Sequence, residues 1–354
     1  MMKWDQRLIG DPELLAHLTT PGARGLSARA VALIEQQKRT WPMLAGGYRA
    51  LAQVETRPIR VAESNVIVQH NPGRIRSTAA SVDKTSVEAR GCFLCPDSQP
   101  PEEKGIAYGD ELVLLCNPFP VLDKHLSIVH RDHVPQRIES NMEKLLDLAC
   151  DLGPDFFVLY NGPECGASAP DHLHFQACSR ELLPIYSDLG IENDEHADGC
   201  AHCEEKAGEG FELFSLDNYG RVVVVFRGNR SDEIARWVYK TIAQLPPSPQ
   251  GSEPMINIVC TYDKSAWTLF LFPRARHRPA CFYAEGDHRL IVSPGAIDMA
   301  GVIVVPERAH YDRIAAEDVS MIFSEVSPDV EAINDLLQVM CDAPAEEDLY
   351  SGCS

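Results

Sequence analysis

Polar and apolar residues alternate with a period of two through "HLHFQAC" (172–178). On a β-strand successive side chains point to opposite faces, so this pattern puts His172, His174 and Gln176 on one face and Leu173, Phe175 and Ala177 on the other. The apolar face is predicted to enter a core while three polar groups converge on the opposite side. Similar short apolar runs predict strands in "VAESNVIVQHNP", in "ELVLLCNPFPVLDKHLSIVHRDHVPQ" on both sides of a Pro-punctuated turn, and in "DFFVLYNG". After residue 212 the same kinds of run return as "RVVVVFRG", "MINIVCTYDKSAWTLFLFPR", "HRLIVSPG" and "GVIVVPE".

Helical spacing marks "DPELLAHLTT", "SARAVALIEQQKRTWPMLAGGYRAL", "SNMEKLLDLACDL" with Asn141 or Ser140 as its cap, and "DEIARWVYKTIAQL" with Ser231 before it. Antiparallel strands with intervening helices, occurring twice, predict an α+β fold built from two similar halves. The expected organisation is a helical N-terminal extension (1–55), a first half (56–186), an acidic insertion (187–212), a second half (213–340) and an acidic tail (341–354). "LPPSPQGSEP" (245–254) reads as an exposed connection.

At 354 residues, 45% hydrophobic and 24% charged, the chain has the make-up of a globular protein with a sizeable core. It has no apolar run long enough for a membrane span, and "MMKWDQRLIGDPELL" has no apolar core of a secretory signal. A cytoplasmic protein without membrane contact is the expectation. The formal net charge of −20 argues against a broad nucleic-acid surface, which needs a positive stripe, but leaves room for a small anion held by local cations. In that setting the 12 cysteines read as thiols or metal ligands rather than disulfides, with Cys116, Cys150 and Cys260 as core thiols.

The loop before the paired histidines, "NGPECGASAPD", is rich in Gly, Ala and Ser, so its backbone N–H groups can approach an anion closely. Asn161, Gly162 and Ser168 are candidates for substrate contact there. Neutral imidazole is a good nucleophile towards phosphorus, and one ring nitrogen can attack while the other is held by a hydrogen bond. Gln176 can donate to a phosphoryl oxygen but supplies no catalytic proton, which suits an already acidic leaving group such as a sugar phosphate or nucleotide. Arg74, Arg76 and Lys84 are cationic candidates for phosphate or nucleotide contact.

"HLHFQ" resembles the H-x-H-x-Q signature of the histidine-triad-like nucleotidyltransferases and phosphorylases, and most of all the GDP-hexose phosphorylase branch (GDP-L-galactose and GDP-D-glucose). "VQHNPGRIRSTAASVDK" and "FYAEGDHRLIVSPGAIDMAGVIVVPERAHYDRI" resemble further segments of that branch, so the likeness spans most of residues 60–315. The resemblance implies two histidine-triad-like halves and a ping-pong reaction. His174 would attack the α-phosphorus of a nucleoside diphosphate sugar and form a nucleotidyl-histidine, with His172 and Gln176 beside it. Phosphate or a sugar phosphate would then accept the nucleotidyl group. In that superfamily a glutamine after the second histidine accompanies transfer, whereas a third histidine accompanies hydrolysis. Homodimers are common there, and guanine is the base the resemblance favours.

The related uridylyltransferases also offer a metal template. Carried over, it implies a structural zinc on Cys92 and Cys95 of "GCFLCP", His133 of "HRDHVPQ" and His172, with His130 as the rival to His133. Cys200 and Cys203 of "GCAHCE", with His196 and His202 beside them, make a second possible pair in the acidic insertion. Three other activities fit the same motif: dinucleoside polyphosphate phosphorolysis, hexose-1-phosphate uridylyl transfer and hydrolysis. A non-catalytic, zinc-stabilised nucleotide-binding scaffold is the alternative from a different class, with "APD" ahead of His172 as the departure that leaves room for it.

Overall fold

The computed structural model describes residues 4–19, 23–78, 90–190, 200–201, 210–216, 218–249, 251 and 253–342. Ten strands form one sheet, in the spatial order β3 (Gly105–Tyr108), β4 (Leu112–Cys116), β5 (Leu126–His130), β7 (His174–Ser179), β6 (Phe156–Asn161), β11 (Ile256–Asp263), β12 (Ala266–Pro273), β10 (Val224–Gly228), β9 (Phe211–Ser215) and β8 (Cys200–Ala201). Every pairing in this sheet is antiparallel. The order contains one motif twice. Strands β4 and β5, the helix Met142–Leu152, then β6 and β7 make the first copy; β9 and β10, the helix Ser231–Gln244, then β11 and β12 make the second. The copies join where β6 pairs with β11, with Asn161 opposite Asn257.

Alternation along the central strands divides the core. Phe156, Val158 and Tyr160 of β6, with Phe175 and Ala177 of β7, pack beneath the two helices and the N-terminal helix Leu26–Thr40. Phe157 and Leu159 face the other way, into a second core. A three-stranded sheet covers that second core, its order β1 (Glu55–Val61), β2 (Ser64–His70), β13 (Val302–Val305), together with the C-terminal helix Ala316–Val326. The pairing of β13 with β2 is parallel, so the antiparallel expectation holds for the main sheet and fails for this ladder.

Several local expectations are corrected. The period-two run was expected to begin at His172, but β7 begins at His174 and His172 lies in the approach to it. "HRLIVSPG" forms no strand: Leu290 and Val292 are buried as irregular chain, which apolarity alone does not distinguish from a strand. Ser231 is the first residue of its helix, with Arg230 at the cap position. Asn141 does occupy a cap position, but its amide donates to the carbonyls of Arg137 and Glu139 instead of accepting a helical N–H. The pattern reading missed β1, β3 and β9. The 245–254 connection is not simply exposed, because Ser248 is buried and Glu253 accepts hydrogen bonds from Tyr160 Oη (2.5 Å) and the Ile138 N–H (2.9 Å). Cys116 and Cys260 are core thiols, whereas Cys150 is half-buried.

No helix among the described residues is long and apolar enough to cross a membrane. Phe175 is fully buried on the helix-facing side of the strand that carries His174. Phe175→Ala should therefore cost about 3–5 kcal/mol of folding stability, read from urea denaturation, through lost burial and the cavity left behind.

Candidate active site

A cavity of about 640 Å³ opens over the sheet face that carries Leu115 of β4, Ser127 of β5 and Gln176 of β7. These three residues lie in one register row, Leu115 opposite Ser127 and Ser127 opposite Gln176. Much of the rest of the wall comes from the segments Gly73–Arg74, Arg90–Gln99, Asn117–Phe119, Gly166–Ser168 and, from the second half, His277–Arg278 and Ser293–Asp298. Three guanidinium groups line it (Arg74, Arg90, Arg278) against two carboxyls (Glu103, Asp298), so an acidic protein holds a locally cationic pocket.

His174 lines this cavity and is nearly buried. Its Nδ1 lies 2.8 Å from the His172 carbonyl oxygen, which can only accept, so Nδ1 carries the proton and Nε2 keeps its lone pair. Burial pushes the imidazole pKa down to about 4, which favours the neutral ring. Gln136 fixes the backbone of this residue. Its Oε1 accepts the His174 N–H at 2.8 Å, and its Nε2 donates to the carbonyls of His174 (3.0 Å) and Asn161 (2.9 Å).

Gln176 is oriented by His125. The Val121 N–H donates to His125 Nδ1 at 3.1 Å, so the proton sits on Nε2, which donates to Gln176 Oε1 at 2.8 Å. With its oxygen occupied, Gln176 has its amide N–H groups left to offer. His125 is fully buried, and burial, with Arg74 adding repulsion, pushes its pKa down to about 3.

Asn161 also lines the cavity, but its Oδ1 is used structurally, accepting from Asn257 Nδ2 (2.9 Å) and the Ala296 N–H (2.8 Å). Arg274 completes the junction by donating to Asn257 Oδ1 and, at 2.8 Å, to the Pro294 carbonyl. The second half is thereby brought to the His174 end of the sheet. Gly166 takes φ 118°, a conformation that favours glycine, and a Cβ there would lie 2.9 Å from Asn161 Oδ1.

Of the sequence candidates, His174, Gln176, Asn161, Ser168 and Arg74 line the cavity. Gly162 does not: its N–H donates to the Ile256 carbonyl and its own carbonyl receives the N–H groups of Cys165 and Ala167, so it shapes the loop. His172 faces away from the cavity. Lys84 and the Arg76 side chain lie outside the described residues, as do Cys203, His196 and His202. Sequence reasoning missed His125, Gln136, Arg90, Arg278 and the second-half loops. Only the embedding of His125 and Gln136 in apolar, Pro-containing segments hinted at buried polar roles.

His172 joins a second cluster with Cys92, Cys95 and His133, whose ligand atoms all lie within 4.8 Å of one another. His172 Nε2 donates to the His130 carbonyl (2.7 Å), leaving Nδ1 3.2 Å from Cys92 Sγ and 3.6 Å from Cys95 Sγ. His133 Nε2 lies 3.3 Å from an Asp171 carboxylate oxygen, leaving Nδ1 3.3 Å from Cys95 Sγ. Both rings thus present a lone pair to the thiols and are held from behind by an oxygen acceptor, the arrangement of metal-ligating imidazoles. The cluster could hold a metal ion. His130 is not in it; its Nδ1 accepts the Asp132 N–H and its Nε2 faces Glu111.

This fold occurs in solved structures. Yeast Ap4A phosphorylase Apa2 in complex with AMP aligns with a TM-score of 0.53 at 17% identity, covering 83% of this chain and 96% of that one. The same enzyme in complex with Ap4A gives 0.51 at 15% identity, with 81% and 97% covered. An ADP-glucose phosphorylase from Arabidopsis thaliana with bound ADP-glucose matches at a TM-score of 0.34 and 15% identity, over 78% of this chain and 99% of that one. By fold the chain is similar to Apa2 over about four fifths of its length. By sequence, residues 194–347 match the family described as GDPGP1-like, C-terminal domain, and residues 33–179 match a domain of unknown function (DUF4922). No curated protein matches the chain by sequence.

His125 gives this site a measurable pH signature. Its folded pKa lies below the unfolded value near 6.5, so the unfolded chain binds the proton more readily and stability is lost as pH falls from about 6.5 towards 3. At pH 5 this loss should reach about 2 kcal/mol. His125→Gln, which keeps an acceptor for Val121 and a donor for Gln176, should lose that much less stability between pH 8 and pH 5 in denaturant titrations.

Proposed function

We propose that the protein is a nucleotidyl-transferring phosphorylase that cleaves a nucleoside diphosphate sugar, with a GDP-hexose as the favoured substrate. The single observation that carries the reading is the His174 ring, with Nδ1–H held by the His172 carbonyl and Nε2 turned to a cationic cavity. The GDPGP1-like match over residues 194–347 and the fold shared with Apa2, which was solved with AMP and with Ap4A, support the same class.

In this mechanism the Nε2 lone pair of His174 attacks the α-phosphorus and the bond to the hexose 1-phosphate oxygen breaks. The departing phosphate carries the electron pair without needing a proton, so the absence of a third histidine at Gln176 costs little. The attacking ring becomes cationic, and the His172 carbonyl stabilises it through Nδ1–H. Gln176 donates an amide N–H to a phosphoryl oxygen, and the arginines offset charge on the phosphates. An oxygen of inorganic phosphate then attacks the nucleotidyl-histidine, the P–N bond breaks, and a nucleoside diphosphate leaves with His174 neutral again.

The proposal includes a structural zinc on Cys92, Cys95, His133 and His172, because a two-thiolate, two-imidazole donor set suits tetrahedral zinc. Its role is to tether the loop before β7, so that the His172 carbonyl is fixed where His174 needs it. No step of the reaction passes through it.

Incubation with GDP-, ADP- and UDP-hexoses, each with and without inorganic phosphate, tests the activity. Nucleoside diphosphate and hexose 1-phosphate should form only with phosphate present, and His174→Ala should lower turnover by about 10³-fold or more. Exchange only with added hexose 1-phosphate would instead mean uridylyltransferase-type transfer, and phosphorolysis of Ap4A alone would mean the dinucleotide reading. Elemental analysis should find one zinc per chain. Cys92→Ser should lose the metal and several degrees of thermal stability even without substrate.

A further inference from the structure

At the end of the cavity away from His174, one acidic group has no hydrogen-bond partner among the described residues. Glu103 is 8% exposed and lines the cavity, and its carboxyl accepts no hydrogen bond among the described residues. Burial pushes its pKa up to about 8, against the pull of Arg7, whose guanidinium donates to the carbonyls of Pro96, Gln99 and Pro100. Beside it, Gln99 also lines the cavity. Its Nε2 is spent on the Leu94 carbonyl, and its buried Oε1 has no donor. Both residues line the cavity with Trp41 and Pro118, and neither the Glu103 carboxyl nor Gln99 Oε1 receives a hydrogen bond among the described residues. A ligand that brings N–H groups would favour the ionised carboxyl. Orphaned buried acceptors cost stability until a ligand brings N–H groups.

Position fixes what that ligand is. Gly105, two residues after Glu103, starts the register row that runs through Leu115 and Ser127 to Gln176. Three strand spacings separate the ends of that row, about 14 Å. This is comparable to the reach of an extended nucleotide from an α-phosphorus near His174 to the far edge of its base. We propose that Glu103, with Gln99, selects guanine by accepting its N1–H and 2-amino hydrogens. Adenine offers a single amino group flanked by acceptors, and uracil one N–H flanked by carbonyls, so neither matches two adjacent acceptors. The assignment rests on the reading that a nucleotide α-phosphate sits at His174.

Calorimetric binding of GDP, IDP, ADP and UDP to wild type and to Glu103→Gln tests it without turnover. IDP lacks only the 2-amino group. Wild type should bind GDP about 10–100-fold more tightly than IDP or ADP, and Glu103→Gln should remove most of that preference while leaving ADP affinity unchanged. With GDP-hexose the variant should raise KM and keep kcat. Wild type that binds GDP no better than ADP, or a variant that keeps the GDP preference, overturns the assignment; the GDP-to-IDP comparison on wild type decides even if the variant does not fold. GDP-selective binding without phosphorolysis of any nucleotide sugar would sink the phosphorylase reading and leave Glu103 as the selector. Phosphorolysis of ADP-glucose by a protein with no guanine preference would do the reverse.

Discussion

The site depends on how buried polar groups are satisfied at one end of the central sheet. Where β6 meets β11, Asn161 Oδ1 accepts from Asn257 and from the Ala296 N–H, and Asn257 Oδ1 receives Arg274. Leaving any one of these groups unpaired in a dry junction costs on the order of 1–3 kcal/mol, so the set holds together or fails together. The consequence is positional. Arg274 and Asn161 anchor the 293–298 segment of the second half against the strand that neighbours His174. A cavity wall drawn from both halves results from this polar lock between them.

The geometry of His174 is then set by acceptors that cannot donate. The carbonyls of His172 and His130 each fix the tautomer of one ring, His174 in the first case and His172 in the second. One short segment therefore serves two sites. The His172 ring turns its Nδ1 to the thiols while its carbonyl holds the histidine two residues on, so any restraint on the cluster is felt at His174 through two residues of backbone. Gln136 adds a second restraint by capturing both the N–H and the carbonyl of His174.

What the sequence made legible is local. The period-two pattern in 174–178 was readable because one face of β7 is apolar core, and the paired helices were readable from their apolar stripes. The choice between His130 and His133 was not, because it depends on how the chain turns after β5. There His130 bends back onto the Asp132 N–H and His133 swings to Cys95. His125 and Gln136 escaped notice for a related reason: each touches its target across neighbouring chain segments, and no spacing rule reports a contact made that way. Glu103 is one of 52 acidic residues in a chain of net charge −20, and its burial sets it apart.

The duplicated motif carries the paired histidines in one copy, and the connection between the last two strands explains why. In the first half, residues 162–173 separate β6 from β7, long enough to build the Gly166 turn, the Ser168 wall and the approach to His172. In the second half Asp263 pairs directly with Ala266, and Lys264 and Ser265 close the hairpin with positive φ. A two-residue turn has no room for a comparable loop, and it lies at the opposite end of the strands from the Asn161–Asn257 pair. The second copy instead contributes the segment after β12, which begins at Arg274 and closes over His174. Duplication thus supplies the first half with part of its cavity wall rather than a second histidine pair.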